Sequence, residues 1–541
     1  MAITRIFYNG KIYTVDKSNP WAEAVAIEDK KIAFVGSNEE TLKLADDNTE
    51  KIDLQGKMMM PGFIDGHVHP LMGAAFESGA VLTDCKTKDE ILSTLKEYID
   101  QRPDYEAYFG YGFNEGIFIN EMPMADDLDT ICPDKPVLLL TSSCHCAWCN
   151  HKAFEVAGVD KNTPDITPGS NYFARDHEGN PTGWCVETVY FKVAAGANYF
   201  PLAVLKKAFI NLANKFASEG YTTFADLGDY DFITNSLDED FAKFINSDEF
   251  PQRFFGGFYF ATSVRNMLHA IINASDLIDH LQNSDKLAFT TFKILGDGVL
   301  EAKSAAMITP YDNGVTVIPN FNEDEMKIMG LLVATYGYDI NVHAIGDATT
   351  KLALDMAEEI RKRGFNDTRI TLSHSQCFAP GQIERAGKLG VFINTTGAWH
   401  YVTSQEYKKL GGINVQGDVY PLRSLMNAGC KFGYGTDFPV SAGGLSPFES
   451  IEIGIRRRQI GYTGPDPTDI GEAPTLEESI EACTINNAWQ VRMEDKLGSI
   501  EKGKLADLIV VDKNLFDIPV NEIHTVKVLE TIRGGQTIYK A

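Results

Sequence analysis

Short apolar runs separated by turn residues make up the first 57 residues of the chain. The segments RIFYNG, KIYTVD and AEAVAIEDKKIAFVG alternate apolar and polar positions, as half-buried β-strands in hairpins do. Residues 495–541 repeat this pattern in LADLIVVD, HTVKVLETIRGG and QTIYKA, without a long helical period. The pattern therefore predicts that residues 1–57 and 495–541 pair into one small β domain.

Apolar strand candidates alternate with helical stretches through residues 58–494, which is typical of parallel βαβ units. Eight strands are predicted, in the segments MMPGFIDGHVH, YTTFADL, RFFGGFYFA, FTTFKILGDG, DINVHAIGD, RITLSHSQ, VFINTTG and KFGYGTDFPV. Eight parallel strands in a segment of this length favour an α/β fold, the (β/α)8 TIM-like barrel.

The interval between the first and second predicted strands is much longer than the later intervals. Residues 71–205 lie in it and contain helical and apolar segments of their own, such as KDEILSTLKEYIDQ and HKAFEVAGV. We therefore predict an inserted subdomain. Because it leaves the C-terminal end of the first strand, where barrel active sites lie, it is expected to cap the catalytic face.

Composition and charge narrow the classes of partner. With 541 residues, 44% of them hydrophobic and 23% charged, the chain has the material for a large core and more than one domain. The formal net charge of −26 repels phosphate backbones and anionic lipids, so neither nucleic acid nor membrane is an expected partner. Without a run of about 18 apolar residues or a secretory signal layout, a cytoplasmic protein with nine reduced cysteines is expected.

Histidine and aspartate residues stand at or just beyond the ends of the predicted barrel strands. His67 and His69 end the first strand, and residues two apart in a strand face the same side. His343, His374 and Asp437 end the fifth, sixth and eighth strands. Each residue alone is more often structural than a ligand. Together, imidazoles and a carboxylate at the catalytic edge predict one or two divalent ions, with zinc the expected metal.

Lys293 ends the fourth predicted strand and has two interpretations. A lysine buried beside two cations does not easily stay protonated, and the neutral amine can react with carbon dioxide to form a carbamate that bridges two metals. A plain lysine in an ion pair with Asp297 or Glu301 fits the spacing equally well.

The order of the motifs PGFIDGHVHP, VHAIGD, SHSQ, GTDFPV and GSIEKGKLADLIVVD resembles the metal-dependent amidohydrolase superfamily. KILGDGVLEAKSAAMITPY is similar to the strand-four signature of its amidohydrolase-3 branch, which includes N-substituted formamide deformylases. The resemblance covers nearly the whole chain. It implies a (β/α)8 barrel whose terminal segments form a β-sandwich domain.

The resemblance also implies a role for each candidate ligand. His67 and His69 bind the more buried ion, His343 and His374 bind the second ion, and carbamylated Lys293 bridges the two. Asp437 touches the first ion and is the catalytic acid/base. The implied reaction is hydrolysis of a non-peptide C–N bond by a hydroxide held between the ions, with Asp437 moving its proton to the leaving nitrogen.

The residues expected to line the pocket for a small-molecule amide come from two regions. SSCHCAWCNHKAF in the insertion is an altered form of the branch's motif and offers His145 and Trp148, and the strand-seven loop offers His400. Trp148 and Trp399 fit ordinary packing equally well. The branch's carboxylate before the strand-six ligand is replaced by Ser373.

Two other functions remain to be weighed. A single-metal deaminase of the same superfamily carries a glutamate three residues after the strand-five histidine, where this chain has Gly346. A non-catalytic small-molecule sensor would not need the complete ligand set. A homodimer is expected only because homodimers are common among soluble proteins.

Overall fold

Strands form both the terminal and the central parts of the protein. The computed structural model describes residues 2–118, 122–166, 171–228, 239–260, 268, 271–272, 284–301, 303–312, 314–409, 415, 417–440, 444–467 and 469–541. The strands, numbered along the chain, are β1 Arg5–Tyr8, β2 Lys11–Tyr13, β3 Trp21–Ala22, β4 Ala24–Glu28, β5 Lys31–Gly36, β6 Glu50–Asp53, β7 Met58–Pro61, β8 Phe63–Val68, β9 Ala80–Val81, β10 Tyr108–Phe113, β11 Val137–Thr141, β12 Cys146–Cys149, β13 Tyr172–Arg175, β14 Pro181–Val186, β15 Tyr221–Asp226, β16 Arg253–Phe260, β17 Leu287–Leu295, β18 Asp339–Ala344, β19 Ile370–His374, β20 Phe392–Thr395, β21 Lys431–Tyr434, β22 Leu508–Val511, β23 Val528–Arg533 and β24 Gln536–Lys540.

Helices connect these strands. The α-helices span Asn38–Leu42, Pro70–Ser78, Lys88–Asp100, Ala125–Asp129, His151–Val156, Tyr190–Ala194, Leu202–Ser218, Glu239–Asn246, Glu323–Thr335, Asp347–Lys362, Gln382–Leu389, Ser404–Lys409, Leu422–Asn427, Pro447–Arg456, Leu476–Cys483 and Ile485–Gln490. Short 3-10 helices span Glu115–Phe118, Glu187–Val189, Gly397–Trp399, Ile470–Glu472 and Val520–Thr525.

The two ends of the chain form a β-sandwich. One sheet has the strand order β5-β4-β1-β6 and the other has the order β24-β23-β22-β7-β2-β3. Side chains from both sheets share one apolar core, which includes Phe7, Val25, Met59, Leu508 and Ile532. Burial of alternate apolar positions on the facing sides of the two sheets explains the pattern of short alternating runs at both termini.

The eight predicted parallel strands form one sheet with the order β21-β20-β19-β18-β17-β16-β15-β8. All of its strand pairs are parallel. Long helices such as Asp347–Lys362 lie between successive strands, as the βαβ pattern predicts. The predicted (β/α)8 barrel is therefore confirmed.

Hydrogen bonds link the first and last barrel strands. The side-chain amide of Asn487 donates to the carbonyl oxygens of Ile64 in β8 and Tyr434 in β21, at 2.7 Å each. Beyond the strand ends, the backbone N–H of Asp437 donates to the carbonyl of His67, at 2.7 Å. These bonds bring the two ends of the sheet together.

The chain divides into two compact units. One contains Met1–Pro70, Ala213–Gly228 and Ala242–Ala541, and therefore holds both the sandwich and the barrel. The other contains Leu71–Leu212 and Asp229–Phe241. The second unit has its own six-stranded sheet, with the order β13-β14-β12-β11-β10-β9, and its own apolar core. The insertion after the first barrel strand is thus a folded unit, as its length and segments predict.

The described part of the chain includes no helix with both the length and the apolar character needed to cross a bilayer. All nine cysteines are free thiols, as expected from their odd number.

Candidate metal centre

The six predicted ligand residues are buried at the C-terminal ends of barrel strands. His67 lies at the end of β8 and His69 just after it, Lys293 lies in β17, His343 in β18, His374 at the end of β19 and Asp437 after β21. The carboxyl ends of parallel strands meet at one edge of a barrel, which is why residues so distant in sequence face one another.

His67, His69 and Asp437 bring three donor atoms together. The Nε2 atoms of His67 and His69 lie 3.3 and 3.4 Å from Oδ1 of Asp437, and the three ligand atoms lie within 4.8 Å of one another. Zinc binds nitrogen and oxygen at about 2.0–2.2 Å, which places two tetrahedral ligands about 3.3–3.6 Å apart. The spacing of these atoms therefore fits a divalent ion such as zinc.

Backbone carbonyls orient two of the imidazoles. Nδ1 of His69 lies 2.9 Å from the carbonyl oxygen of Gly228, and Nε2 of His343 lies 3.2 Å from the carbonyl oxygen of Gly298. A ring nitrogen that donates to a carbonyl carries the proton, so the other nitrogen keeps its lone pair for an ion. The assigned tautomers therefore leave His69 Nε2 and His343 Nδ1 as metal-binding atoms.

His374 joins the two groups of ligands. Its ring centroid lies 5.0 Å from that of His67 and 4.4 Å from that of His343. The Nδ1 atoms of His67 and His374 are buried and lack a hydrogen-bond partner among the described residues. Buried polar atoms are nearly always satisfied, so unpaired ring nitrogens in a row of imidazoles fit a site that takes an ion.

Burial lowers the pKa values of the clustered histidines. Desolvation and the nearby Lys293 lower the pKa of His343 to about 4. Desolvation is also the largest cause that holds the pKa values of His67 and His374 well below the ordinary range, with neighbouring imidazoles and Lys293 adding to it. The three rings are therefore neutral at pH 7, the state that metal ligation requires.

Two of the ligand residues have unusual backbone conformations. His374 has φ of 70°, Ser375 has φ of 49° and Asp437 has φ of 56°. Residues other than glycine rarely adopt this left-handed region, and they keep it where the surrounding structure fixes them. The turn at His374 is held by the Ser375 hydroxyl, which donates to the carbonyl oxygen of Leu372 at 2.9 Å.

Lys293 lies among the imidazoles rather than beside its alternative partners. Its Nζ lies 2.7 Å from His67 Nε2. Glu301 instead accepts the hydroxyl of Tyr407 at 2.9 Å. The carboxylate of Asp297 accepts three backbone N–H groups, those of Ala306, Ile345 and Gly346. Within the described ranges neither acid pairs with Lys293, so the structure does not form the alternative ion pair.

Asp65 is a site residue for which the sequence analysis assigned no role. Its Oδ1 accepts the backbone N–H groups of His67, at 3.2 Å, and Thr436, at 3.0 Å, and its Oδ2 accepts the Thr436 hydroxyl at 2.7 Å. Burial raises the pKa of this carboxyl to about 7, against the lowering effect of the three hydrogen bonds. Its position two residues before His67, on the same side of the strand, was the available signal.

The two predicted pocket residues of the insertion differ in environment. His145 is exposed and its Nδ1 lies 2.9 Å from Oε2 of Glu187, a contact that raises the pKa of His145. Trp148 has 0% exposed surface, packs in the core of the second unit, and donates its indole N–H to the carbonyl oxygen of Met124 at 2.8 Å. These contacts favour the packing alternative for Trp148, because a side chain without exposed surface cannot line a pocket.

The loop after β20 places an aromatic residue beside a ligand. Trp399 stacks on the imidazole of His374, with ring centroids 5.7 Å apart and planes 19° apart. The adjacent predicted pocket residue, His400, is fully buried, with Nε2 3.0 Å from the Thr395 hydroxyl and its ring 4.5 Å from that of Tyr420. Trp399 is therefore nearer to the ligand set in its contacts than His400 is.

Comparison with known proteins places this arrangement in context. A family model described as "Amidohydrolase family" matches residues 50–539. The chain is 27% identical over 547 residues to the N-substituted formamide deformylase of Arthrobacter pascens, covering 98% of this chain and 97% of that protein. It is 29% identical over 435 residues to the exoenzymes regulatory protein AepA of Pectobacterium carotovorum subsp. carotovorum, covering 79% of this chain and 92% of that protein.

A solved structure supports the same fold. The protein is similar to an uncharacterized metal-dependent hydrolase from Pyrococcus furiosus, with a TM-score of 0.73 and 22% sequence identity. The similarity covers 94% of this chain and 99% of that chain. The barrel, the terminal sandwich and the insertion are therefore compared over nearly their whole length.

Proposed function

The chain belongs to the amidohydrolase family and is a metal-dependent hydrolase, and we propose that it hydrolyses a non-peptide C–N bond of the amide or formamide type. The expected substrate is a small-molecule amide. The printed activity of the relative from Arthrobacter pascens supports this bond type.

The spacing of His67, His69 and Asp437 carries the proposal. Two imidazole nitrogens lie within 3.4 Å of one carboxylate oxygen, in a buried site at the catalytic edge of a barrel. A divalent ion bound there would lower the pKa of water and polarise a substrate carbonyl. This donor set combines nitrogen and oxygen ligands, which suits zinc.

We assign the remaining ligands to a second ion. His343 and His374 would hold it, because their rings are adjacent, at 4.4 Å, and neutral at pH 7. Lys293 lies between the two groups, with Nζ 2.7 Å from His67 Nε2, and a carboxyl group on that nitrogen would give an anion with two oxygens. The bridging carbamate remains our proposal over a bare lysine.

Asp437 is the proposed proton carrier. Its Oδ1 faces His67 and His69, so we assign the proton to Oδ2. The carboxylate takes a proton from the attacking water and delivers it to the leaving nitrogen, which an amide requires because an amide anion is a poor leaving group. The left-handed backbone at Asp437 directs the side chain to this position.

The structure disfavours the deaminase alternative through Gly346. A Cβ added at this position would overlap the carbonyl oxygen of Ala306, so a glutamate cannot be accommodated there. The backbone N–H of Gly346 is also used, because it donates to Asp297 at 2.8 Å. The complete ligand set likewise disfavours a sensor without catalysis.

A substrate panel tests the proposed bond type. N-substituted formamides, anilides and aminopurines are incubated with the zinc-loaded protein, and released amine, formate and ammonia are measured separately. We expect amine release from at least one formamide or anilide and no ammonia from the aminopurines. Ammonia release from an aminopurine alone would favour the deaminase.

The purified protein is expected to hold one or two divalent ions per chain, mainly zinc, because three oriented donors and two further imidazoles converge in one site. Elemental analysis of extensively dialysed protein measures the content. A His67→Ala, His69→Ala double variant is expected to lose at least one ion per chain, whereas His151→Ala on the second unit keeps the full content. Equal content in the double variant would exclude this site as the place of binding.

His145 remains our proposed substrate-binding residue. His145→Ala is expected to raise KM or lower kcat several-fold while metal content stays unchanged, because the exposed ring is placed by Glu187 and touches no proposed metal ligand. His151→Ala is the matched control, since His151 is similarly exposed and paired with Asp129 in the same unit. Unchanged kinetics, or loss of metal, would refute the assignment.

A further inference from the structure

Ligands at opposite ends of the barrel sheet depend on a join between its first and last strands. β8 carries His67, and the segment after β21 carries Asp437. The two strands stand at the two ends of the hydrogen-bonded order β21-β20-β19-β18-β17-β16-β15-β8. The distance between these ligands is therefore set by contacts other than a regular strand ladder.

The carboxylate of Asp65 makes much of that join. It accepts the backbone N–H of His67 on one side, and the backbone N–H and hydroxyl of Thr436 on the other. Asp65 is 1% exposed and Thr436 is 4% exposed, so water does not compete for these bonds. One side chain thus contacts a metal-ligating residue in β8 and the residue immediately before Asp437.

The segment that Asp65 fixes is one that needs fixing. Asp437 has φ of 56°, a conformation that residues other than glycine rarely adopt without support from their surroundings. Backbone bonds from Asp437 N to His67 O and from His69 N to Phe438 O, at 2.7 and 2.8 Å, hold the residue after the turn. Thr436, which precedes it, is held by Asp65.

We propose that Asp65 is a positioning residue of the metal centre, which sets the relative placement of His67 and Asp437 by joining β8 to Thr436. The inference rests on the proposed metal site, and it assigns to Asp65 no contact with the ion or the substrate. It predicts that metal binding depends on the acceptor geometry of residue 65 more than on the general stability of the barrel.

Cobalt binding to metal-free full-length protein tests this proposal, because the visible spectrum of bound Co²⁺ reports ligand geometry without requiring activity. Asp65→Leu removes all three bonds at similar size, and we expect it to weaken cobalt affinity by about 10–100-fold and to change the spectrum, as loss of partners of metal ligands commonly does. Asp65→Asn keeps an oxygen for both backbone N–H groups and is expected to stay within about threefold of the wild type, well inside that range.

Two further variants separate positioning from stability. Thr436→Val removes only the hydroxyl bond and keeps the side-chain shape, so it should weaken affinity by a smaller factor than Asp65→Leu and remains informative if that variant does not fold. Asp339→Asn is the control, because Asp339 is a buried acid at the start of β18 that pairs with Arg492 at 2.7 Å. It should lower the melting temperature and leave cobalt affinity and spectrum unchanged.

The outcomes distinguish this inference from the site itself. A wild-type protein that binds no cobalt would contradict the proposed metal site. Wild-type affinity and spectrum in both Asp65→Leu and Thr436→Val, with normal binding by the wild type, would overturn the positioning role alone. An equal loss of affinity in Asp339→Asn would also overturn it, since general destabilisation would then explain the effect.

Discussion

Asp437→Asn is expected to lower kcat by about two to four orders of magnitude, the usual contribution of general acid/base catalysis. Asparagine keeps the shape of the side chain and an oxygen toward His67 and His69, but it cannot accept the proton of the attacking water. Bound metal and melting temperature should therefore change little. The measurements are kcat, metal content and melting temperature on the same preparation.

Asp347→Asn provides a matched control for this change. Asp347 is also a buried acid just beyond a ligand-bearing strand, where it accepts the backbone N–H of Ile308 at 2.7 Å, but it is not in the ligand set. We expect this variant to keep kcat within a few-fold. If Asp437→Asn also keeps kcat within a few-fold, Asp437 is not the proton carrier and another base must be sought.

Lys293→Ala is expected to lose one ion per chain and to reduce hydrolysis to background, because the bridging anion between the two groups of ligands is removed. Added acetate or propionate, which can place a carboxylate in the space left by the lysine, is expected to restore part of both. Metal content and turnover are measured with and without the added acid. In crystals of the wild type, density at Nζ should show three additional atoms.

Lys286→Ala is the control for loss of a buried lysine. Lys286 immediately precedes β17, the strand that carries Lys293, and donates to the carbonyl oxygens of Ser247 and Phe250. This variant should lose stability and keep both ions. A bare Lys293 in clear density, with each ion bound independently of it, would contradict the bridge and favour a site with a single metal.

The barrel could be predicted because each of its strands carries a strong local signal. Buried parallel strands form short, continuous apolar runs bounded by turn residues, as in DINVHA of β18 and FTTFKIL of β17. The position of His67 and His69 followed from the same local rule, since residues two apart share a face. The ligand set could therefore be named from strand ends alone.

Contacts between distant segments could not be predicted in this way. Asp65 and Thr436 are 371 residues apart, and their bonds exist only because the first and last strands meet. Asp297 seemed by spacing to be a partner for Lys293, yet backbone N–H groups from another loop occupy its carboxylate. Such competition for one acceptor depends on loop conformation, which leaves no periodic pattern in the sequence.

Trp148 shows a different limit of sequence reasoning. An aromatic residue in a motif similar to a pocket-forming one has the same local pattern whether it faces a cavity or a core. The structure buries it among Phe113, Phe118 and Trp184. In contrast, the left-handed backbone at His374 and Asp437 had no compositional signal, because neither residue is glycine or asparagine.

Removal and return of metal tests the central claim most directly. The protein is stripped with a chelator, titrated with zinc, and assayed at each step for hydrolysis of the best amide or formamide substrate. The account predicts that the stripped protein is inactive and that turnover rises in proportion to bound zinc until the site is full. Full activity in protein shown by elemental analysis to contain no metal would contradict it.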